Sequence, residues 1–286
     1  MTHKVGEEGN WDVSIKAKHS YFEINIKEVW QYRDLLRMFI VRDIVSVYKQ
    51  TILGPLWFIL QPVLTAFIYS IIFGNVAKLP TDGVPKILFY LGSVTLWNYF
   101  ADTFRLTSRT FADNSAILGK VYFPRLILPL SKVISGIIKL LIQFALFIVI
   151  WLYYLYVQDA ISPNWHMVLL PFIIAVLAVF SLGSGILVSS LTVKYRDLSF
   201  LITFGIQLLL YGTPVIYPMS SVPERMRPWV LLNPLTSLIE AFKYAFFGQG
   251  MLDYFWLSYT VAFTLVVTAA GIVVFNKVEK KFIDTV

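Results

Sequence analysis

The sequence contains little charge and no cysteine. Of its 286 residues, 14% are charged and 57% are hydrophobic, whereas soluble globular chains carry about 25% charged residues. Because so few charges cannot cover a water-facing surface, the composition excludes a soluble enzyme, a disordered tail and a fibrous protein. The lack of cysteine excludes disulfides and Cys-ligated metal sites, and three histidines argue against a His cluster. The solvent for most of this chain is therefore predicted to be a lipid bilayer.

Long uncharged stretches predict six membrane-spanning helices, each close to the roughly 20 residues that a bilayer requires. They lie at 55–77, 85–104, 134–157, 167–193, 198–217 and 254–276. Pro214, Pro218 and Pro223 interrupt the chain at the end of the fifth span and just after it. The predicted fold is an all-α integral membrane protein, with an N-terminal segment at 1–50 and a six-span domain at 51–286.

The basic residues are sorted between the two sides of this predicted topology. Nineteen of the 24 Lys and Arg residues fall in the N-terminal segment, in the connections after spans two and four, and in the C-terminal tail. Basic residues concentrate in cytoplasmic loops, so both termini are predicted to be cytoplasmic. In agreement, Lys4, Glu7 and Lys16 leave no room for the apolar core of a signal peptide.

A basic amphipathic helix is predicted at 28–50, before the first span. Its apolar residues recur at helical spacing on one side and are Leu36, Phe39, Ile40, Ile44 and Val47. Arg37, Arg42 and Lys49 point elsewhere. A helix of this kind lies in the headgroup plane, where it serves either as an anchor on anionic lipid or as a mechanical element. The pattern leaves both hypotheses open.

The connection at 102–132 is the longest on the cytoplasmic side. Asn114-Ser115 offers a helix N-cap, while Pro124 and Pro129 limit the length of any helix here. The pattern predicts a short helix that is exposed to the cytoplasm. Such a helix is either a simple connector or a docking element for a partner.

The segment at 211–250 lies on the outer side and is unusually apolar for a loop. It ends in a short amphipathic helix, which is predicted from Leu238, Ile239, Phe242, Ala245 and Phe246 and stops at Gly248. Backbone inside a bilayer is tolerated where protein or water satisfies its polar groups, so this segment is predicted to be a lid over a pathway. Glu240 and Lys243 are three residues apart and are expected to pair along the helix.

Lys139 is the one charge that could enter a predicted span. Intramembrane charges are costly and often functional. A lysine this close to the cytoplasmic face can also extend its amine to the headgroups, and we favour that interpretation.

Three energy-coupling signatures are missing from the sequence. It contains no Gly-x-x-x-x-Gly-Lys-Ser/Thr phosphate loop, no Asp/Glu pair within a predicted span and no inverted repeat of its halves. The chain is therefore not expected to bind ATP through such a loop. A pathway built from it needs a partner that supplies energy.

The sequence contains the short segments RDI (42–44), YKQTILG (48–54), VYFPR (121–125), TPVIYP (213–218), NPLT (233–236) and IEAFK (239–243), with Trp57 and Gln61-Pro62. In this order they resemble permease subunits of the ABC transporters that export polysaccharides such as O-antigen, capsule and teichoic acid. The resemblance covers residues 28–280. The segment before it, with Trp11 and Tyr21, is most similar to the O-antigen members.

This resemblance implies a half-transporter in the bacterial inner (cytoplasmic) membrane. Two permeases would form a channel for a lipid-linked polysaccharide, and two separate ATPase subunits would hold ATP and Mg²⁺. No catalytic, cofactor or metal site and no nucleic-acid partner is then expected on this chain. The helix at 28–50 would be an interface helix against the ATPase, the connection at 102–132 would carry a coupling helix near 112–120, and 211–250 would form re-entrant outer gating helices.

The same resemblance implies candidate residues for these roles. Contacts of the interface helix with the ATPase are assigned to Arg37, Arg42, Asp43 and Lys49, and those of the coupling helix to Asp113, Asn114, Ser115 and Lys120. Aromatic rings expected to line the channel and stack on sugar faces are Tyr69, Tyr90, Trp97, Tyr99 and Phe100. The outer gate would comprise Pro214, Tyr217, Asn233, Pro234, Glu240 and Lys243.

Other functions stay open as alternatives. A capsule or teichoic acid exporter would share this architecture, and a drug- or lipid-exporting ABC permease would match the NPLT and VYFPR segments less well. An ion-coupled carrier would need paired intramembrane carboxylates, and no predicted span contains an Asp/Glu pair. A channel that works without an ATPase is a further alternative.

Overall fold

The computed structural model describes residues 26–49, 51–114, 117, 121–158, 161–162, 164–192 and 197–283. The α-helices with described bounds are α1 Ile26–Gln31, α2 Arg33–Tyr48, α3 Trp57–Tyr69, α4 Lys86–Ser108, α5 Thr110–Asp113, α6 Ile127–Tyr156, α7 Leu170–Thr192, α8 Leu198–Tyr211, α9 Arg227–Leu231, α10 Pro234–Phe247 and α11 Tyr254–Ile283. A π-helical stretch at Ser70–Val76 continues α3, and short 3₁₀ turns lie at Gly54–Leu56, Trp165–Leu169 and Met219–Ser221. This described part contains no strand, which confirms the all-α class.

Among the described residues, four helical stretches are long and apolar enough to cross a membrane. They are Gly54–Val76, Ile127–Tyr156, Trp165–Thr192 and Tyr254–Val278. They coincide with the first, third, fourth and sixth predicted spans, and the chain is a multi-pass membrane protein. The second predicted span falls on α4, which has 23 residues but is less apolar, and the fifth falls on α8, which has 14. The count of six spans stays a prediction.

The fifth predicted span is shorter in the structure than the sequence suggested. Helix α8 ends at Tyr211 rather than at residue 217, because Gly212 closes the last turn and donates its N–H to the carbonyl of Leu208 at 3.0 Å. Pro214 follows and has no N–H with which to continue the helix. The absence of charge extended the predicted span beyond the point where the backbone can stay helical.

Helix α10 lies at the centre of the packing rather than at its edge. Thirteen of its 14 residues are buried, which confirms the predicted helix but places it inside the fold. Its Phe242 and Phe246 rings pack against Phe147 of α6, with centroid distances of 5.5 and 5.7 Å. Trp151, one turn further along α6, donates its indole N–H to the carbonyl of Phe246 at 2.8 Å. The segment that follows α8 is therefore anchored to a spanning helix.

Helices α7 and α11 approach each other closely through glycine. A Cβ added at Gly183 would lie 2.6 Å from the Cα of Thr268, and one added at Gly271 would lie 2.5 Å from the carbonyl oxygen of Gly183. Small residues of this kind let helix backbones meet inside a bilayer. The crossing therefore tolerates no side chain without displacement of a helix.

We expect Gly183→Ala to lower the free energy of unfolding by about 1–3 kcal/mol, the usual cost of overpacking. The measurement is the temperature at which the full chain in detergent no longer elutes as a single monodisperse peak in size-exclusion chromatography. Gly205→Ala on α8 is the matched control, because a Cβ there would have nothing within 4 Å. Equal midpoints for the two variants would contradict this account of the crossing.

Candidate functional site

Helix α2 is attached to the beginning of α6 by an ion pair. The carboxylate of Asp43 accepts a hydrogen bond from the Lys132 amine at 2.8 Å and one from the Ser131 hydroxyl at 3.3 Å. The side chains of Asp43 and Lys132 are only 10% and 14% exposed, and Arg42 adds a second ion pair at 3.0 Å. Asp43, predicted to contact an ATPase, therefore faces its own chain and fixes α2 to a spanning helix.

The VYFPR segment packs against α2. The Phe123 ring packs against Phe39 of α2 with centroids 6.0 Å apart, and the Arg42 guanidinium lies 4.6 Å from the centre of the Phe39 ring. Tyr122 donates its hydroxyl to Glu28 at 3.2 Å. These contacts give the segment a structural role that the sequence alone did not reveal.

The other candidate docking residues occupy different environments. Arg37 and Arg42 are exposed on α2, Lys49 is exposed directly after it, and Asp113 is exposed on α5. Asn114 is buried instead, and its side-chain amide donates to the carbonyl of Thr110 at 2.9 Å. The two remaining candidates, Ser115 and Lys120, lie outside the described residues.

Helices α2 and α5 belong to the same end of the molecule. Phe39 of α2 and Phe111 of α5 are members of one buried cluster, in which Phe111 stacks on Phe275 of α11 with a centroid distance of 4.7 Å. The two elements predicted to contact an ATPase are thus joined through a shared apolar core.

Asn233 caps α10 and fixes it to the end of α8. Its side-chain oxygen accepts the N–H of Leu235 at 3.1 Å, as an N-cap does, and Pro234 occupies the first turn, where no donor is needed. Its amide nitrogen donates to the Thr213 hydroxyl at 2.8 Å and to the Gly212 carbonyl at 3.3 Å. The Asn233 side chain therefore both caps α10 and links it to the residues that follow α8.

Glu240 and Lys243 form the expected ion pair, at 2.9 Å. Their side chains are 1% and 2% exposed, and the amine of Lys243 lies 4.3 Å from the centre of the Phe89 ring. That amine also donates to the backbone carbonyls of Pro214 and Tyr217, and Glu240 accepts the N–H of Met251 at 3.2 Å. One buried pair therefore connects the segment before α10 with the segment after it.

Four of the five aromatic residues predicted to line a channel are buried within the single chain, so their channel-lining role stays a prediction. Tyr90, Trp97, Tyr99 and Phe100 are all buried within a single chain, and Tyr69 is half-buried. Phe100, for example, stacks on Phe180 with a centroid distance of 5.4 Å. Tyr90, Trp97, Tyr99 and Phe100 therefore fill the core around α4 in this arrangement, whereas Tyr69 of α3 is half-buried.

Comparison with known proteins gives one family and a consistent group of relatives. Residues 34–247 match the family of ABC-2 type transporters. The chain is 30% identical over 251 residues to an O-antigen export system permease protein, RfbA, of Klebsiella pneumoniae, which covers 88% of this chain and 94% of the relative. It is 27% identical over 264 residues to the RfbA protein of Myxococcus xanthus, with 91% and 98% covered. A capsule polysaccharide export inner-membrane protein of Neisseria meningitidis, CtrC, is 20% identical over 251 residues, with 84% and 89% covered.

Proposed function

Because the chain belongs to the ABC-2 type transporter family, we propose that it is the transmembrane subunit of an ATP-driven exporter of a lipid-linked, O-antigen-like polysaccharide. This proposal rests mainly on the 30% identity to an O-antigen export permease across 88% of this chain. The relatives named for capsule polysaccharide export and for polysialic acid transport are more distant, at 20% and 21% identity. The subunit itself performs no hydrolysis: ATP and Mg²⁺ belong to the partner ATPase.

The proposed topology places six spans in the bacterial inner membrane with both termini in the cytoplasm. Helices α4 and α8 complete the set of four apolar spans, and α9 and α10 form the re-entrant outer gate. The distribution of Lys and Arg in the sequence supports this orientation, since 19 of the 24 fall on the side of the N-terminal helix.

A second copy of the chain is proposed to complete the channel. Helix α8 has no buried residue, and its Phe200 and Phe204 are 79% and 58% exposed. Helix α3 likewise leaves Phe67 and Ile68 exposed. These faces suit lipid or another helix, and a homodimer would bring part of them together around a shared pathway.

Two ATPase subunits are proposed to bind at the end that carries α2 and α5. The exposed Arg37, Arg42 and Lys49 supply charge for the contact, and the Asp43–Lys132 pair carries movement of α2 into α6. Coupling requires that ATP favours one of two arrangements of the permease. We propose that these arrangements differ in the position of α2 and α6, which the Asp43–Lys132 pair joins.

Arg42→Glu and Asn114→Pro are both expected to weaken binding of the ATPase to the full-length permease. The first reverses an exposed charge and the second disrupts the buried end of α5. The measurement is recovery of the partner ATPase with the tagged permease from detergent-solubilised membranes. Arg225→Glu, an exposed change in the 223–226 segment, is the control. Unchanged recovery with both α2 and α5 variants would refute the docking assignment.

Capsule or teichoic acid export is the second candidate function, and the relatives named for capsule polysaccharide and polysialic acid transport support its capsule form. It shares every mechanical feature above and differs only in the polymer. A C-terminal sugar-binding domain on the partner ATPase would favour O-antigen. Export of a drug or another lipid, or ion-coupled transport, has no relative among these matches to support it.

A further inference from the structure

A polar pocket lies between α4 and α6, close to the end of the molecule that carries α2. Its lining includes Asn98, Tyr99 and Thr103 of α4 and Lys139 and Gln143 of α6. The two helices approach each other at Gly136, where an added Cβ would lie 2.7 Å from the Thr103 hydroxyl oxygen. The backbone of α6 therefore leaves room for polar groups where most spanning helices present a side chain.

One cation beside this pocket, Lys139, forms no direct ion pair in the part of the chain that the structure describes. Lys132 pairs with Asp43 at 2.8 Å and Arg105 pairs with Asp102 at 2.6 Å. Among the described residues, Lys139 has no carboxylate within ion-pair distance, and its amine instead lies 5.7 Å from the centre of the Phe58 ring of α3. After these pairings, the positive charge of Lys139 is not balanced by an ion pair.

The hydroxyl groups that line the pocket also have unsatisfied hydrogen-bonding capacity. Tyr99 and Thr103 are 4% and 1% exposed, and apart from a contact with each other neither hydroxyl has a hydrogen-bond partner among the described residues. Buried hydroxyls without partners are uncommon and costly in folded proteins, which points to an occupant that supplies acceptors. The side-chain amides of Asn98 and Gln143 add further donors to the same lining.

The depth of the pocket indicates what kind of molecule reaches it. Lys139 is seven residues beyond Lys132, about 10 Å further along α6 and on the same face. The side chains of the paired Asp102 and Arg105 are half-exposed, and charged groups of this kind are expected at the level of the headgroups. An occupant must therefore carry acceptor oxygens at the headgroup level and remain compatible with the apolar surroundings of Phe58 and Leu140.

We propose that this pocket binds the phosphate of a membrane lipid, with Lys139 as the cationic ligand and Thr103 and Tyr99 as hydroxyl donors. About 30 Å³ of it is open to water-sized groups, which admits one or two phosphoryl oxygens while the acyl or prenyl chains remain in the bilayer. A metal ion does not fit, because Asp102, the carboxylate of the lining, is paired with Arg105 and the other polar groups lie beside the Lys139 ammonium. The inference concerns any phosphate-bearing lipid and does not depend on a polysaccharide cargo.

The test measures equilibrium binding of fluorescent phosphatidic acid to the full-length chain in a maltoside detergent, which contains no phosphate. Lys139→Gln is expected to weaken binding about tenfold or more, because a hydrogen bond to a charged group is lost. Thr103→Val, which removes a buried hydroxyl that among the described residues contacts the Tyr99 hydroxyl alone, is expected to weaken binding while the chain stays folded. Lys139→Arg should retain most of the affinity. Lys277→Gln, an exposed lysine at the same end, is the matched control.

Competitors identify the source of the phosphate. Unlabelled phosphatidic acid should displace the probe, whereas diacylglycerol with the same chains should not. Displacement by millimolar inorganic phosphate as complete as that by the lipid would identify a free-anion site and overturn the proposal. Equal affinity of Lys139→Gln, Thr103→Val and the unaltered chain would overturn it as well, since the pocket would then play no part in binding.

Discussion

Lys243→Met is expected to lower the free energy of unfolding by about 3–5 kcal/mol, among the largest effects of any single change in this chain. The substitution leaves Glu240 as an unpaired carboxylate that is 1% exposed, and it removes the donor that holds the carbonyls of Pro214 and Tyr217. The measurement is the midpoint of heat-induced loss of the monodisperse full chain, together with its abundance in membranes.

Glu240→Leu combined with Lys243→Met separates the ion pair from the other contacts. Because both charges are then absent, the double variant should be more stable than Lys243→Met alone. Glu224→Ala with Arg225→Ala, two exposed residues in a nearby segment, should change the stability by no more than about 0.5 kcal/mol. A Lys243→Met chain as stable as the unaltered protein would show that the buried pair does not hold the segments around α10.

Asp43→Lys is expected to reduce polymer export to less than about a tenth while the ATPase remains bound. The change brings a new cation against Lys132 and Arg42, and like charges at this distance cost several kcal/mol. Helix α2 then separates from α6, so movement of the ATPase no longer reaches the spanning helices. Surface polymer and recovery of the ATPase are measured on the same cells.

The charge-swapped variant is the decisive control for that prediction. Asp43→Lys combined with Lys132→Asp restores an ion pair in the opposite sense and should recover a substantial part of export. Asp34→Lys, which adds the same charge at an exposed position of α2, should export normally. If the swapped variant is as defective as Asp43→Lys alone, the pair does not transmit movement between the two helices.

The spanning helices were largely predictable because the bilayer imposes a strong constraint on composition. Uncharged runs located all four apolar spans to within a few residues, apart from the earlier beginning of α6 at Ile127. The end of α4 was misjudged for a local reason: Asp102 and Arg105 pair on one helical face at 2.6 Å, so the helix continues through charges that suggested a loop. A count of charges does not reveal such pairing.

The candidate site was predictable only where its contacts are local in sequence. Spacing alone indicated that Glu240 and Lys243 pair, but it could not show that other segments cover them. Lys132 was missed as the partner of Asp43 because 89 positions separate the two residues. Aromatic content likewise could not distinguish a channel wall from a core, and rings such as Trp97 proved to be core.

Deletion of the gene, followed by localisation of the lipid-linked polymer, tests the proposed function most directly. If the chain is an exporter subunit, the polymer should disappear from the cell surface and accumulate on the cytoplasmic side of the inner membrane. Expression of the unaltered chain should then restore surface polymer, whereas Asp43→Lys should not. Normal surface polymer in the deletion strain, without accumulation inside, would contradict the proposal that this chain exports a lipid-linked polysaccharide.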